Sequence, residues 1–161
     1  MQHLNMDALD KRIVEILQVQ GDLTHSELAE RVGSTASTCL RRVARLRKHR
    51  ILTDVVFVAD AAKLGRGLKA IITVTTKDHP LSEREKFAQR ISAESALQYA
   101  YGVSGELDAV LMGNFRDMSE YQNMCDRLFD DEEAIVRYTT YFVTETYKSQ
   151  PNIPCDGPVI L

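Results

Sequence analysis

The side chains in this chain best suited to do chemistry are cations. Residues 37 to 50, STCLRRVARLRKHR, place Arg41, Arg42, Arg45, Arg47, Lys48 and Arg50 in fourteen positions without one carboxylate. Guanidinium forks pair bidentately with phosphate or with the O6/N7 edge of guanine, and Ser37 and Thr38 can add hydrogen bonds to base edges or phosphate. The alternative reading of any charge run is a solvated helix face. Against it, neighbours such as Arg41 and Arg45 at i,i+4 repel by roughly 0.2–0.5 kcal/mol, and an external anion relieves that repulsion. The expected DNA-contacting set is Ser37, Thr38, Arg41, Arg42, Arg45, Lys48 and Arg50.

No comparable set points to catalysis or metal binding. His3, His25, His49 and His79 are scattered, and Cys39, Cys125 and Cys155 are widely spaced with no CxxC pair. No Ser/His/Asp or Cys/His constellation can be assembled, and no phosphate-cradling glycine loop follows a strand. The expectation is therefore a non-enzyme with no catalytic residue, no metal site and no cofactor. An odd cysteine count suits a reducing compartment. No apolar run reaches the roughly 18 residues of a membrane span, and the first residues lack the apolar core of a secretory signal. A cytoplasmic protein without membrane contact is expected.

The cation run needs an element to hold it. Asp7 can cap a helix with Leu9, Ile13, Ile16 and Leu17 on one stripe, stopped near Gly21. Thr24 and Glu27 form a capping box for a second helix to Val32, with Leu23 and Leu28 as its staple. Thr35 can cap a third helix starting at Ala36. At 100° per residue, Cys39, Val43 and Leu46 share a packed stripe, while Ser37, Thr38, Arg41, Arg45 and Lys48 lie opposite, with Arg42 at the margin. Three short helices with a cationic last helix make a helix-turn-helix, the last helix being sized for the major groove of double-stranded DNA. Charge follows the same division. Residues 1–50 hold nine Lys and Arg against six Asp and Glu, net +3; residues 51–161 hold eleven against seventeen, net −6.

After residue 50 the pattern changes. ILTDVVFVAD reads as a wing or linking strand and AAKLGRG, 61–67, as the hinge out of it. From Leu68 the period is two. The predicted elements are a strand LKAIITVTT, a helix capped by Ser82 with Glu85, and a strand LQYAYGV with Leu97, Tyr99, Tyr101 and Val103 on one side. A turn SGELD, a strand AVLMGNF, a helix opened by Asp117 and Glu120, and a last strand over 135–147 follow. That βαββαβ order is an α+β, ferredoxin-like antiparallel sheet with both helices on one face. The other face also carries large side chains, so a homodimer through the sheet is expected. The proline-bearing end is expected to be a tail without regular structure. The domains predicted are 1–50 helix-turn-helix, 51–67 linking strand and hinge, 68–148 ferredoxin-like, and 149–161 tail.

The parts and their residues together resemble the Lrp/AsnC, or feast/famine, family of transcription regulators. The resemblance rests on MDALDKRIVEIL, LAERVGSTASTCLRRVARL, KLGRGLKA, VSGELDAVL and TTYFVTETYK, and it spans roughly residues 4 to 150. It implies a winged helix-turn-helix regulator of transcription, dimers that assemble further to octamers, and a small amino-acid effector bound by the second module. It places that effector where the VSGELD turn meets neighbouring subunits, which brings in Val103, Ser104, Gly105 and Asp108, with Thr140 of the last strand and Tyr101 beside them. Asp108 could accept from an ammonium and the turn N–H groups could donate to a carboxylate. The competing reading is that Gly105 and Asp108 only shape the turn. The chain departs from the family pattern at Arg50, where a helix-ending glycine is usual, and at Ser34 and Ala36, where apolar and proline residues are usual. A related class of siroheme decarboxylases shares the two-part layout, but such an enzyme has little need of the 37–50 cation run.

Overall fold

The structure is a computed structural model and describes residues 6–76, 81–130 and 135–157. The chain divides into two compact units, one holding the residues up to Val58 together with those from Lys148, the other Ala59–Tyr147.

The first unit contains α1 (Ala8–Val19), α2 (His25–Val32) and α3 (Ala36–Lys48). Each helix starts where the side chains dictate. Asp7 and Asp10 form a reciprocal capping box, as do Thr24 and Glu27, and the Thr35 hydroxyl accepts from the Thr38 N–H. The apolar stripes converge on Ile13, Leu28, Cys39 and Leu46, all essentially without solvent contact. Gly33 adopts the left-handed conformation that ends α2, which turns the chain into α3 within two residues. At the end of α3 that same conformation is taken by Arg50, at φ 55°. There the Arg50 N–H reaches Arg47 O at 2.9 Å and the Ile51 N–H reaches Leu46 O at 3.0 Å, the paired bonds of a Schellman motif. The usual glycine is absent, but its geometry is kept.

One expectation for this unit needs correction, and another gains a contact. Residues 53–58 form no strand among the described residues, and Val56, Phe57 and Val58 are almost wholly exposed. An extended segment becomes a strand only when another backbone supplies its hydrogen bonds, and this one has no such partner among the described residues. Residues 149–157, the described part of the tail, carry no helix or strand, as expected, yet they are anchored. The Gln18 side-chain amide donates to Ile153 O at 3.0 Å and its oxygen accepts from the Ile153 N–H at 2.7 Å, while Cys155 packs on the helical core.

The second unit is a four-stranded antiparallel sheet in the order β2-β3-β1-β4, from β1 (Leu68–Thr76), β2 (Leu97–Gly102), β3 (Ala109–Phe115) and β4 (Ile135–Phe142). Its helices are α4 (Leu81–Ala93) and α5 (Met118–Cys125), the latter running on as a π-helical turn over Asp126–Asp130. Alternation decides the faces. Ala70, Ile72, Val74, Leu111 and Phe115 are buried in one core with Ile91, Tyr121 and Met124 of the helices. The opposite face exposes Tyr99, Tyr101 and Tyr141, paired in register with Met112, Val110 and Ile71.

Helix α4 is described from Leu81, and the cap expected from Ser82 with Glu85 involves side chains outside those described. Two details differ from the sequence reading. Strand β4 stops at Phe142, short of the expected residue 147, with the Val143 N–H making one further bond to Lys69 O of β1 at 2.9 Å. Leu97 does not share a face with Tyr99 and Tyr101, since a register shift between Leu97 and Tyr99 turns Leu97 toward the core.

Candidate functional site

The outer side of α3 is the first candidate surface. Ser37, Arg41, Lys48 and Arg50 are exposed, and Thr38 is half-buried. Thr35 organises the helix start: its Oγ1 lies 2.9 Å from Thr38 Oγ1 and 3.2 Å from Ser37 Oγ. These hydroxyls sit at the helix end whose free N–H groups and dipole favour an anion.

Arg42 and Arg45 are not on that surface. Arg42 Nη1 donates to Asp7 Oδ2 at 2.6 Å and to Asp10 Oδ1 at 2.9 Å, and Arg45 Nη2 donates to Asp10 Oδ2. Asp10 is completely buried. Both arginines face the edge of α3 nearest α1, and their long side chains reach back to neutralise a carboxylate that burial would otherwise penalise heavily. The hydrogen bond from Arg42, and next the Asp10 N–H, hold the Asp7 carboxyl below its ordinary range, and Asp7 in turn raises the Arg42 guanidinium. The like-charge pair Arg41/Arg45 is thus relieved in part from inside the protein. Arg41, Arg47, Lys48 and Arg50 have no ion pair among the described residues. Arg47 is absent from the expected set; its exposure follows from its place on the helix rim, beside Leu40 rather than opposite the buried stripe.

The second candidate is a cavity of about 650 Å³ in the ferredoxin-like unit. Tyr101, Val103, Ser104 and Asp108 all line it. Asp108 is held by the turn: its Oδ2 accepts from the Thr76 N–H at 2.7 Å, its N–H donates to Val74 O at 3.0 Å, and its carbonyl accepts from Val103. Gly105, at φ 134°, shapes the turn and is not among the lining residues. Thr140 lies elsewhere, on the helix-covered face, with its Oγ1 at 2.6 Å from Tyr121 Oη. Its pairing with Ile72 of β1 puts it on the same face as the cavity, but it meets Tyr121 of α5 and is not among the residues that line the cavity beside α4. Sequence reasoning missed the rest of the lining, above all Thr76 and the α4 residues Phe87, Ala88, Ile91 and Ser92. The i,i+4 pairs Phe87/Ile91 and Ala88/Ser92 were legible as one helix face, but nothing in the sequence said what they faced.

Comparison with known proteins decides what these two surfaces belong to. Residues 6–47 match the AsnC-type helix-turn-helix domain, and residues 69–153 match the Lrp/AsnC ligand binding domain. The leucine-responsive regulatory protein of Rhizobium meliloti is 33% identical over 74% of this chain and 77% of its own. The chain belongs to the Lrp/AsnC family.

Two further relatives extend the match to nearly full length. The DNA-binding transcriptional activator DecR of Escherichia coli is 26% identical over 94% of this chain and 99% of its own. A Neisseria meningitidis transcriptional regulator, solved with L-Met, superposes with a TM-score of 0.87 at 27% identity, covering 94% of this chain and 98% of that one. As a member of this family the protein is a helix-turn-helix transcriptional regulator carrying a ligand-binding domain, and not an enzyme. No helix among the described residues is long and apolar enough to cross a membrane.

Proposed function

We propose that this Lrp/AsnC regulator acts in the cytoplasm as a homodimer that assembles further to an octamer. In it α3 of each protomer enters the major groove, and an amino acid bound in the 650 Å³ cavity modulates assembly or DNA affinity. The observation that carries the DNA reading is the division among the α3 cations. Arg42 and Arg45 are paired with Asp7 and Asp10, while Arg41, Arg47, Lys48 and Arg50 make no ion pair among the described residues. Ser37, Thr38 and Arg41 at the front of the helix are the base-reading set, and Arg47, Lys48 and Arg50 serve phosphates. The exposed row Tyr99, Tyr101 and Tyr141 supports dimerisation through the open sheet face.

Fluorescence anisotropy with DNA from the region upstream of the protein's own gene, titrated with salt, tests the reading. Four free cations per protomer correspond to a log–log salt slope of about −3.6 per protomer, at about −0.9 per phosphate. A slope near zero would leave the cations without a polyanion and refute the DNA assignment. Sedimentation of the wild type beside Tyr141→Asp tests the dimer, which that charge on the open face should disperse.

A further inference from the structure

The ion pairs to α1 decide which side of α3 is left open. Arg42 and Arg45 draw one flank of the expected DNA face down onto Asp7 and Asp10, and Thr38, on the same flank, is half-buried. The exposed residues of α3 are Ser37, Leu40, Arg41, Ala44, Arg47 and Lys48. They form a continuous stripe at three- and four-residue spacing whose middle is turned about 70° around the helix from that of the expected set. Leu40 therefore belongs to the open face. It is 54% exposed and is the one large apolar side chain that α3 leaves in solvent, Cys39, Val43 and Leu46 being buried.

Resting on the DNA reading above, we infer that Leu40 is a specificity-determining residue that packs on the C5-methyl group of a thymine in the major groove. Leu40 opens the second turn of α3, three residues after Ser37 and next to Arg41, in the part of a recognition helix that meets base edges. Ala44, one turn further on, adds a second small apolar surface beside it. Thymine carries the one apolar group among those the four bases present in the major groove, so an apolar side chain ringed by cations has a single complementary target there. The flanking Arg41, Arg47 and Lys48 argue for DNA over a protein surface as the cover. Phosphates neutralise them, whereas an apolar protein surface laid over Leu40 would desolvate them without compensation. Burial of one methyl group against leucine is worth about fourfold in affinity.

Two copies of one duplex test this: the DNA upstream of the protein's own gene, made with either dTTP or dUTP, so that the two differ only in the C5-methyl groups. By fluorescence anisotropy at fixed salt, the full-length wild type should bind the uracil duplex at least about fourfold more weakly than the thymine duplex. In Leu40→Ala that uracil penalty should shrink about fourfold, while Leu40→Met, which keeps an apolar side chain of similar reach, should retain it. Any difference in shape between the duplexes is met alike by every variant, so the change in the penalty isolates the methyl contact. A wild type indifferent to uracil, or a Leu40→Ala variant that keeps the wild-type penalty, overturns the inference while leaving DNA binding in place. Failure of the wild type to bind either duplex at low salt overturns the DNA reading itself and this inference with it.

Discussion

Arg42 meets Asp10 at 2.9 Å, and the carboxylate it meets is wholly removed from solvent while the arginine keeps 18% of its side-chain exposure. Asp10 belongs to the capping box of α1, so a single carboxylate both starts the first helix and fixes the third. The orientation of the exposed cationic side of α3 therefore depends on two arginines that are tied to α1.

Adjacent arginines should in consequence behave in opposite ways. Arg42→Ala leaves Asp10 with Arg45 alone and should lower stability by about 3 kcal/mol, because a buried charge loses a partner. Arg41→Ala, at an exposed site without an ion pair among the described residues, should change stability by less than about 0.5 kcal/mol. It should instead cost about 1–3 kcal/mol of DNA affinity and relax specificity at one base pair. Urea denaturation beside anisotropy on both variants separates the roles, and equal destabilisation by the two would contradict the division.

At Arg50 stability and the proposed DNA contact pull against each other. The left-handed backbone at φ 55° costs a side-chain-bearing residue about 1 kcal/mol that glycine does not pay. Arg50→Gly should raise stability by about that amount while lowering DNA affinity for all sequences alike and reducing the salt slope by about 0.9. Thermal melts and a salt titration on the same preparation check both halves; a variant that gains nothing in stability would show that the Schellman end does not strain the arginine.

Much of this was legible in the sequence, for identifiable reasons. The caps at Asp7, Thr24, Thr35 and Asp117 are short-range pairings that depend on neighbours three residues away, and all four donate or accept as their spacing predicts. The faces of β1 and β3 follow from period-two alternation. What was not legible depends on partners distant in the chain. The helical wheel puts Arg45 on the outer side and Arg42 at its margin, but cannot show that Asp10, over thirty residues earlier, sits within reach of both and Asp7 within reach of Arg42. Likewise Thr140 aligns with a pocket position by family resemblance, while the register with Ile72 sends it to Tyr121.

Gly113 explains the register shift that turned Leu97 inward. A Cβ built on it would lie 2.6 Å from Ala96 O, 3.0 Å from Phe115 Cζ and 3.1 Å from Leu97 Cδ2. The same Ala96 O accepts from the Asn114 N–H at 3.0 Å, so the start of β2 is drawn over β3 at the one residue that has no side chain. Gly113→Ala should cost about 1–3 kcal/mol, since the first obstruction is backbone and cannot rotate away. Hydrogen exchange should show the loss of protection beginning at the Asn114 amide; a neutral substitution would mean that the two strands can separate locally without penalty.

Tyr121 links the two faces of the α5 packing to alkaline stability. Burial, and next its contact with Cys125, push its hydroxyl up to about 12, with Thr140 acting in the opposite direction. A group raised in the folded state contributes stability that is complete below its ordinary value of 10.0 and is lost as pH rises through about 12. Tyr121→Phe removes that titration but leaves the Thr140 hydroxyl without its 2.6 Å partner, a loss of about 1 kcal/mol at neutral pH. The variant should thus be less stable than wild type at pH 7 and should close the gap, then overtake it, as pH climbs past 10. Thr140→Val supplies the matching control: it should lower stability by a similar amount while leaving amino-acid affinity unchanged, and a lost calorimetric signal there would return Thr140 to the effector site.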